Sequence, residues 1–185
     1  MKSVSGFFCA LALSFAGASW AAPIPEPQES AAGFKSFDLP EEQKGSFELS
    51  FDAMPLADKI DVFTRISAST PRMAADVAAI VRFNDTGTID ARNGGAFATD
   101  QVLGYSANQA YRVRMVIDMA KKTYSVFVAP AGQPEVALAK NYAFRTGQGS
   151  VQSLGKLVLA GFKGQNGFTG PHRISGISLK AVATP

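Results

Sequence analysis

Apolar and polar residues alternate along the segment between Tyr111 and Asp118, where every second side chain from Tyr111 to Ile117 is apolar. A period of two residues predicts a β-strand with one buried face. A polar turn around Lys121 follows, and a second strand-like run covers 123–129. The segment therefore predicts a β-hairpin. Because a lone hairpin is barely stable in water, other strands must pack with it.

Short strand-like runs continue on both sides of this hairpin, separated by turn-forming Gly, Pro, Asn and Asp residues. The predicted strands are 47–51, 62–67, 76–83, 88–91, the neighbourhood of 97, 111–118, 123–129, 135–144, 154–160 and 174–181. The pattern contains almost no helix and no repeat of fixed period. Many short strands at close spacing predict an all-β fold, an antiparallel two-sheet β-sandwich or jelly roll.

The first residues have the arrangement of a secretory signal peptide. Lys2 precedes a short apolar run, and small residues lead to a cleavage position after Ala21. The apolar run is too short to span a bilayer. We therefore expect an exported protein, periplasmic or extracellular, that loses residues 1–21 and has no membrane span. Cys9, the one cysteine of the sequence, leaves with this peptide, so disulfides and cysteine-bound metals are not expected.

Residues 22–46 are predicted to form a Pro/Glu-rich linker, with an early edge strand around Phe34, Phe37 and Leu39 as an option, ahead of a single domain over 47–185. The charged residues also differ between the predicted linker and the predicted domain. The linker has five acidic and two basic residues, whereas 47–185 has fifteen Lys and Arg against ten Asp and Glu. This basic excess favours acidic partners at long range, but an ordinary solvated surface would account for it equally well.

Four stretches in order resemble a known superfamily: FELSFDAMP (47–55), AAIVRFNDTGTIDARNGGAF (78–97), YRVRMVIDMAKKTYSVFVAP (111–130) and ALAKNYAFRTGQGSVQSLGKL (137–157). They resemble the concanavalin A-like lectin/glucanase jelly rolls, in particular the laminin-G-like module of secreted polysaccharide-active proteins. The resemblance implies two antiparallel sheets and a glycan-binding face or rim. Because this superfamily includes lectins, glycosidases, lyases and adhesive domains, function has to be argued from the residues.

The expected function is that of an exported, lectin-like carbohydrate-binding domain whose ligand is a polysaccharide or cell-surface glycan, with an acidic polymer as the narrower expectation. Guanidinium groups can bind carboxylates in a bidentate manner, and sugar faces stack on aromatic rings. The candidate carbohydrate-binding residues are Arg82, Arg92, Arg112, Arg114, Tyr105, Tyr142 and Arg145. Alternatively, these arginines pair with acids such as Asp90, Asp118 and Glu135, or lie over an outer sheet face.

A polysaccharide lyase acting on a uronate-containing glycan is the alternative function. It needs cations that neutralise the uronate carboxylate and a group that moves the proton at the neighbouring carbon. The candidate lyase residues are Arg112, Arg114, Tyr142 and His172, and their convergence in one groove would separate a lyase from a binder. Otherwise His172 is expected to be an exposed or capping turn residue. A glycoside hydrolase is less favoured, because the sequence offers only Glu48 and Asp52 in place of a closely spaced acidic motif. A structural or adhesion module that binds protein remains a third option.

No cofactor is expected, although structural calcium is an option. Asp85 and Asp90 are its candidate ligands, because oxygen-bearing side chains cluster there. Neighbouring glycines explain the same residues as turn formers. The sequence has no glycine loop with phosphate-binding spacing and no basic stripe interleaved with aromatics, so nucleic acid is not an expected partner. These patterns leave the oligomeric state undetermined.

Overall fold

A computed structural model describes residues 24–164 and 167–182. The predicted signal peptide, residues 1–21, and the first two residues of the predicted linker lie outside this part of the chain. The strands, in chain order, are β1 (Gln28–Glu29), β2 (Gly33–Gln43), β3 (Phe47–Pro55), β4 (Val62–Ser67), β5 (Val77–Phe83), β6 (Thr88–Asn93), β7 (Ala96–Gly104), β8 (Tyr111–Asp118), β9 (Thr123–Pro130), β10 (Val136–Ala143), β11 (Leu154–Gly161), β12 (Lys163–Gly164), β13 (Gly167–Phe168) and β14 (His172–Ala181). A single 3-10 turn, Ala74–Asp76, precedes β5, so none of the described residues forms a helix that could cross a membrane.

The strands form two six-stranded sheets. Sheet I has the order β1-β14-β3-β8-β9-β10, and sheet II has the order β2-β11-β4-β5-β6-β7. Every named strand pair in the two sheets is antiparallel. A small third ladder joins β12 to β13. This arrangement confirms the predicted all-β sandwich of two antiparallel sheets.

The central hairpin formed by β8 and β9 follows the predicted pattern. Tyr111, Val113, Met115 and Ile117 are buried, whereas the residues between them reach the outer face of sheet I. The two strands pair in register from Tyr111 opposite Pro130 to Asp118 opposite Thr123. At the turn, the Asp118 carboxylate accepts hydrogen bonds from the backbone N–H groups of Ala120 (3.0 Å) and Lys121 (2.9 Å). This side-chain contact, typical of an Asx turn, fixes the length of the connection and therefore the register.

The segment predicted as a linker forms strands over most of its described part. β1 pairs with β14 at one edge of sheet I, and β2 forms an edge of sheet II beside β11. The optional early edge strand is thus present, and the sandwich begins well before Phe47. Leu39 of β2 is only 4% exposed and belongs to the core between the sheets. The free energy gained by burying Leu39 favours a strand here despite the polar residues around it. Pro40 is tolerated because β2 is an edge strand, where some backbone N–H groups have no strand partner.

Candidate functional site

The outer face of sheet I holds Arg112 and Arg114, and acidic partners neutralise both. Arg112 lies 3.4 Å from Asp52. Arg114 contacts Glu135 through two hydrogen bonds of 2.6 and 3.0 Å and lies 3.3 Å from Glu48. Pairing with Glu135 is the outcome that the sequence offered as the alternative to ligand binding. These guanidinium groups are therefore already engaged.

Glu48 and Asp52 face outward from β3 into the same ion-pair network. Burial by itself would raise the pKa of the Glu48 carboxyl, but hydrogen bonds and charges from Lys180 and Arg114 outweigh it and lower the pKa. A carboxyl held ionised in this way cannot act as a general acid near neutral pH. Glu48 therefore lacks the raised pKa that the acid of a glycoside hydrolase needs.

His172 lies in the core and not in an exposed turn, which corrects the expectation for this residue. Its side chain is completely buried at the start of β14. Its Nδ1 lies 2.9 Å from the Ser30 hydroxyl, and its Nε2 lies 2.8 Å from the Thr64 hydroxyl. Burial lowers the pKa of the imidazole to about 3. A neutral imidazole sealed from solvent can link the N-terminal segment to sheet II, but it cannot exchange protons with a ligand.

Tyr142 and Tyr105, two candidate carbohydrate-binding residues, are also buried. The Tyr142 hydroxyl donates to Asp100 (2.9 Å), and burial together with this contact raises the pKa of the phenol to about 12. The Tyr105 hydroxyl accepts from the backbone N–H of Ile60 (2.8 Å) and lies 2.7 Å from the Asn84 carbonyl oxygen. Both hydroxyls connect separate strands or loops of the fold. The four candidate lyase residues consequently do not converge, because Arg112 and Arg114 form ion pairs on the outer face of sheet I, whereas Tyr142 and His172 are buried.

The outer face of sheet II brings together the other predicted arginines with several aromatic rings. Cross-strand pairing aligns Phe63 of β4 with Arg82 of β5 and Asp90 of β6, and it sets Arg92 opposite Phe97. Because side chains alternate along a strand, these residues point away from the core. We call this surface the Arg-Phe face. It consists of Arg65, Arg82, Arg92, Arg145, Phe34, Phe63, Phe97 and Phe162.

Arg82 is the neutralised member of the Arg-Phe face. It binds both carboxylate oxygens of Asp90, at 2.8 and 2.6 Å, and lies 3.7 Å from Asp61. Burial would lower the pKa of the guanidinium, but Asp90 and Asp61 outweigh it and raise the pKa. Its guanidinium carbon also lies 3.8 Å from the centre of the Phe97 ring. Arg82 therefore fixes the position of the ring and of β6.

The same contacts do not fit a calcium ion at Asp90. Asn84 donates to the Asp90 oxygen that Arg82 also contacts, and the Asn84 amide oxygen accepts hydrogen bonds from Thr86 and Thr88. Asp85 is an exposed turn residue. Across the described ranges, no three His, Cys, Asp or Glu side chains are grouped so that they could hold a metal ion. The turn interpretation of this segment fits its hydrogen bonds.

Arg92 and Arg145 have no carboxylate within 4 Å among the described residues. Arg92 donates to the carbonyl oxygens of Gly94 (3.2 Å) and Gly95 (2.5 Å). The segment that carries Arg145 is held against the same turn, because the Thr146 N–H donates to the Gly94 carbonyl (3.3 Å). Burial lowers the pKa of Arg145, and the charge of Arg92 lowers it further. Two cationic side chains therefore stand close together without neutralisation.

Sequence reasoning missed Arg65, the most buried arginine of this face. Its side chain is 2% exposed, and its guanidinium carbon lies 4.2, 4.9 and 5.4 Å from the ring centres of Phe63, Phe162 and Phe34. Within the described part of the chain, its Nε and Nη1 atoms have no hydrogen-bond partner. Burial lowers the pKa of the guanidinium to about 9, and nearby Arg145 contributes to the shift. The one signal in the sequence was an arginine inside the otherwise uncharged strand VFTRIS.

Comparison with known proteins supports the fold and adds one relative. No protein-family model matches the chain. The chain is 34% identical over 111 residues to a gellan lyase of Bacillus sp, a match that covers 58% of this chain and 4% of that protein. The chain therefore spans only a small part of the relative's length.

Two solved structures share the architecture. Lectin II from Ulex europaeus superposes with a TM-score of 0.55 at 8% identity, covering 81% of this chain and 82% of the lectin. A GH131 β-glucanase catalytic domain from Podospora anserina superposes with a TM-score of 0.53 at 11% identity, covering 82% and 66% of the two chains. The chain thus has the concanavalin A-like jelly-roll fold that the sequence resemblance predicted.

Proposed function

We propose that this protein is an exported carbohydrate-binding domain that holds a polysaccharide on the Arg-Phe face of sheet II. The observation that carries the proposal is the difference between the two outer faces. Sheet I presents a network of paired charges. Sheet II presents partly exposed Phe34, Phe97 and Phe162 beside arginines that have no acidic partner among the described residues. Aromatic rings next to guanidinium donors suit the apolar faces and hydroxyl groups of a sugar chain.

The relationship to a gellan lyase supports a polysaccharide as the ligand class. Because the match covers 4% of that protein, it is compatible with a module that accompanies a catalytic part. The fold, which a lectin and a glucanase share, supports the same ligand class without specifying the chemistry. The expected signal peptide would bring the domain to the polymer outside the cytoplasm.

Binding is favoured over catalysis because the candidate lyase residues are separated. Arg112 and Arg114 are ion-paired, and His172 is sealed in the core. Lyase activity on a uronate-containing glycan remains the alternative because of the Bacillus relative. Adhesion to a protein partner is the further alternative.

Affinity electrophoresis tests the proposal. The exported chain is run through native gels that contain gellan, a second acidic polysaccharide or a neutral one, and the same mixtures are assayed for new reducing ends and unsaturated sugar products. We expect retarded migration in at least one gel without cleavage. Cleavage would establish the lyase alternative. Unchanged migration in every gel would refute glycan binding and leave protein adhesion.

Phe97 and Phe127 provide a matched pair that locates the surface. Each is a partly buried phenylalanine on an outer sheet face, and an arginine guanidinium stacks over each ring. The guanidinium carbon lies 3.8 Å from the ring centre of Phe97 and 4.0 Å from that of Phe127. We expect Phe97→Ala to weaken binding about tenfold, which corresponds to about 1.4 kcal/mol. Phe127→Ala should bind like the parent chain. The opposite result would move the binding surface to sheet I.

A further inference from the structure

The arginines on and beside the two outer sheet faces divide into neutralised and unneutralised groups. Arg112, Arg114 and Arg173 on sheet I, and Arg82 on sheet II, each contact at least one carboxylate. Arg65 and Arg92 contact none within 4 Å among the described residues, and neither does Arg145 of the adjoining loop. Charges are normally paired when they leave water, because desolvation of a lone ion is costly. Within the described part of the chain, no carboxylate fills this role for buried Arg65 or for its partly buried neighbours Arg92 and Arg145.

Arg65 is the most deeply buried of these arginines. Two of its three guanidinium nitrogens are buried without a hydrogen-bond partner in the described residues. Contacts with three phenylalanine rings offset part of the desolvation cost, since a desolvated cation is attracted to the face of an aromatic ring. They do not replace hydrogen bonds to the N–H groups, because aromatic rings are weak acceptors. A charge retained at such a cost suggests a role beyond packing.

The strand register and the loop contacts bring the backbones of the three arginines into one region. Arg65 of β4 lies opposite Ile80 of β5, and the backbone N–H of Ile80 and the carbonyl of Arg92 both contact the hydroxyl of Tyr124. The Arg145 N–H donates to the carbonyl of Ala78, two residues before Ile80 (2.8 Å). Burial is the main cause of the lowered pKa values of Arg65 and Arg145, and the charges of Arg145 and Arg92, respectively, lower them further.

We infer that Arg92 and Arg145, with the buried charge of Arg65 behind them, form a subsite for an anionic group of the bound polysaccharide. The inference rests on the proposed function and narrows its ligand to an acidic polymer. Arg92 and Arg145 are partly exposed and can contact the ligand. Arg65 is a positioning residue, because its buried charge acts on the ligand only through its electrostatic field. The planar fork of a guanidinium matches a carboxylate or a sulfate ester. A uronate or a sulfated sugar can each supply the anion.

Three polymers separate the subsite from the proposed function as a whole. Affinity is measured for a polyuronate, for the same polyuronate after its carboxyl groups have been reduced to alcohols, and for a sulfated polysaccharide. We expect the reduced polymer to bind at least tenfold more weakly than an acidic one, and the preferred acidic polymer identifies the anion. Equal affinity for the polyuronate and its reduced form, without tighter binding of the sulfated polymer, would overturn the subsite while leaving glycan binding intact. Binding to none of the polymers would refute the proposed function itself.

Arginine-to-methionine variants test the three side chains. Arg145→Met and Arg92→Met should each weaken binding of the acidic polymer about tenfold and leave binding of the reduced polymer unchanged. Arg112→Met is the matched control, because Arg112 is an arginine on the opposite outer face, and it should bind both polymers like the parent chain. Loss of acidic-polymer binding in Arg112→Met but not in Arg145→Met would contradict the assignment.

Arg65→Met has an additional readout that distinguishes a functional role from a structural one. Replacing an unpaired buried charge with an apolar side chain of similar length is expected to leave the unfolding temperature unchanged or to raise it. The same change should reduce affinity for the acidic polymer and not for the reduced one. A lower unfolding temperature with unchanged affinities would show that Arg65 serves packing alone.

Discussion

The side chain of Tyr124 on β9 crosses the core between the sheets, and its hydroxyl contacts the backbone of Ile80 on β5. The hydroxyl accepts a hydrogen bond from the Ile80 N–H (3.3 Å) and lies 2.9 Å from the Ile80 carbonyl oxygen. The same hydroxyl lies 2.6 Å from the carbonyl oxygen of Arg92 on β6. The pairing of β5 with β6 stops at Val81 opposite Ala91, so a side chain from sheet I supplies contacts at the next position of sheet II. This contact supports the backbone beneath the Arg-Phe face.

Removal of the Tyr124 hydroxyl should therefore destabilise the sandwich. We expect Tyr124→Phe to lower the free energy of unfolding by about 1–3 kcal/mol, because buried backbone groups of Ile80 and Arg92 lose a partner that water cannot replace. Denaturant unfolding of the variant and the parent chain measures the change.

Tyr111→Phe is the control for this prediction. The Tyr111 hydroxyl contacts the backbone N–H of Ser106 and the side chain of Gln109 in a loop, where water can take its place. Its removal should cost about 0.5–1.5 kcal/mol, the range of an ordinary hydrogen bond. A larger loss for Tyr111→Phe than for Tyr124→Phe would contradict the assigned role of Tyr124.

Stability should depend on pH through His172, the one histidine of the sequence. Its pKa is lowered from 6.5 to about 3 in the folded protein by burial. As pH falls below 6.5, the unfolded chain binds a proton that the folded chain excludes, so stability falls until about pH 3. The loss is about 1.4 kcal/mol per pH unit, or about 2 kcal/mol between pH 6.5 and 5.

Unfolding measured at pH 7, 6 and 5 in the parent chain and in His172→Gln tests this dependence. The variant should be less stable at pH 7, since Ser30 and Thr64 lose their shared partner, but its stability should change little across the interval. The comparison depends on the change in stability with pH in each protein, so it remains informative even though the variant is destabilised. Parallel slopes for the two proteins would assign the pH dependence to other groups.

Residues before Phe47 should contribute to stability as part of the sandwich. Leu39→Ala is expected to lower the free energy of unfolding by about 2–5 kcal/mol, because it opens a cavity in the core between the sheets. Glu41→Ala, an exposed position on the same strand, should change it by less than about 0.5 kcal/mol. Equal and small effects would support the original linker interpretation for β2.

Chelation should leave the protein unchanged if Asp90 is bound by Arg82 and Asn84 as described. We expect the same unfolding temperature with EDTA, with added calcium and with neither. A drop in EDTA that calcium reverses would require a different arrangement of these side chains.

The local patterns of the sequence were sufficient to identify the β8–β9 hairpin and the all-β class. Alternation is a property of neighbouring residues: successive side chains on a strand point to opposite faces whatever the strand packs against. The same alternation accounts for Arg112 and Arg114 lying on one outward face. Turn chemistry at Asp118 is equally local, which is why the hairpin could be located within a few residues.

The location of the site depended on contacts that are distant in the sequence. Arg92 and Arg112 are similar in sequence, each an arginine in a short strand, yet β6 joins sheet II and β8 joins sheet I. Strand order decides which charges meet acids and which remain unpaired, and alternation carries no information about strand order. His172 follows a turn signal in the sequence, but it lies in the core. There it contacts Ser30 and Thr64, which are 142 and 108 residues away in the sequence. Burial, pairing and pKa are properties of these tertiary neighbours, so they become defined only when the two sheets pack together.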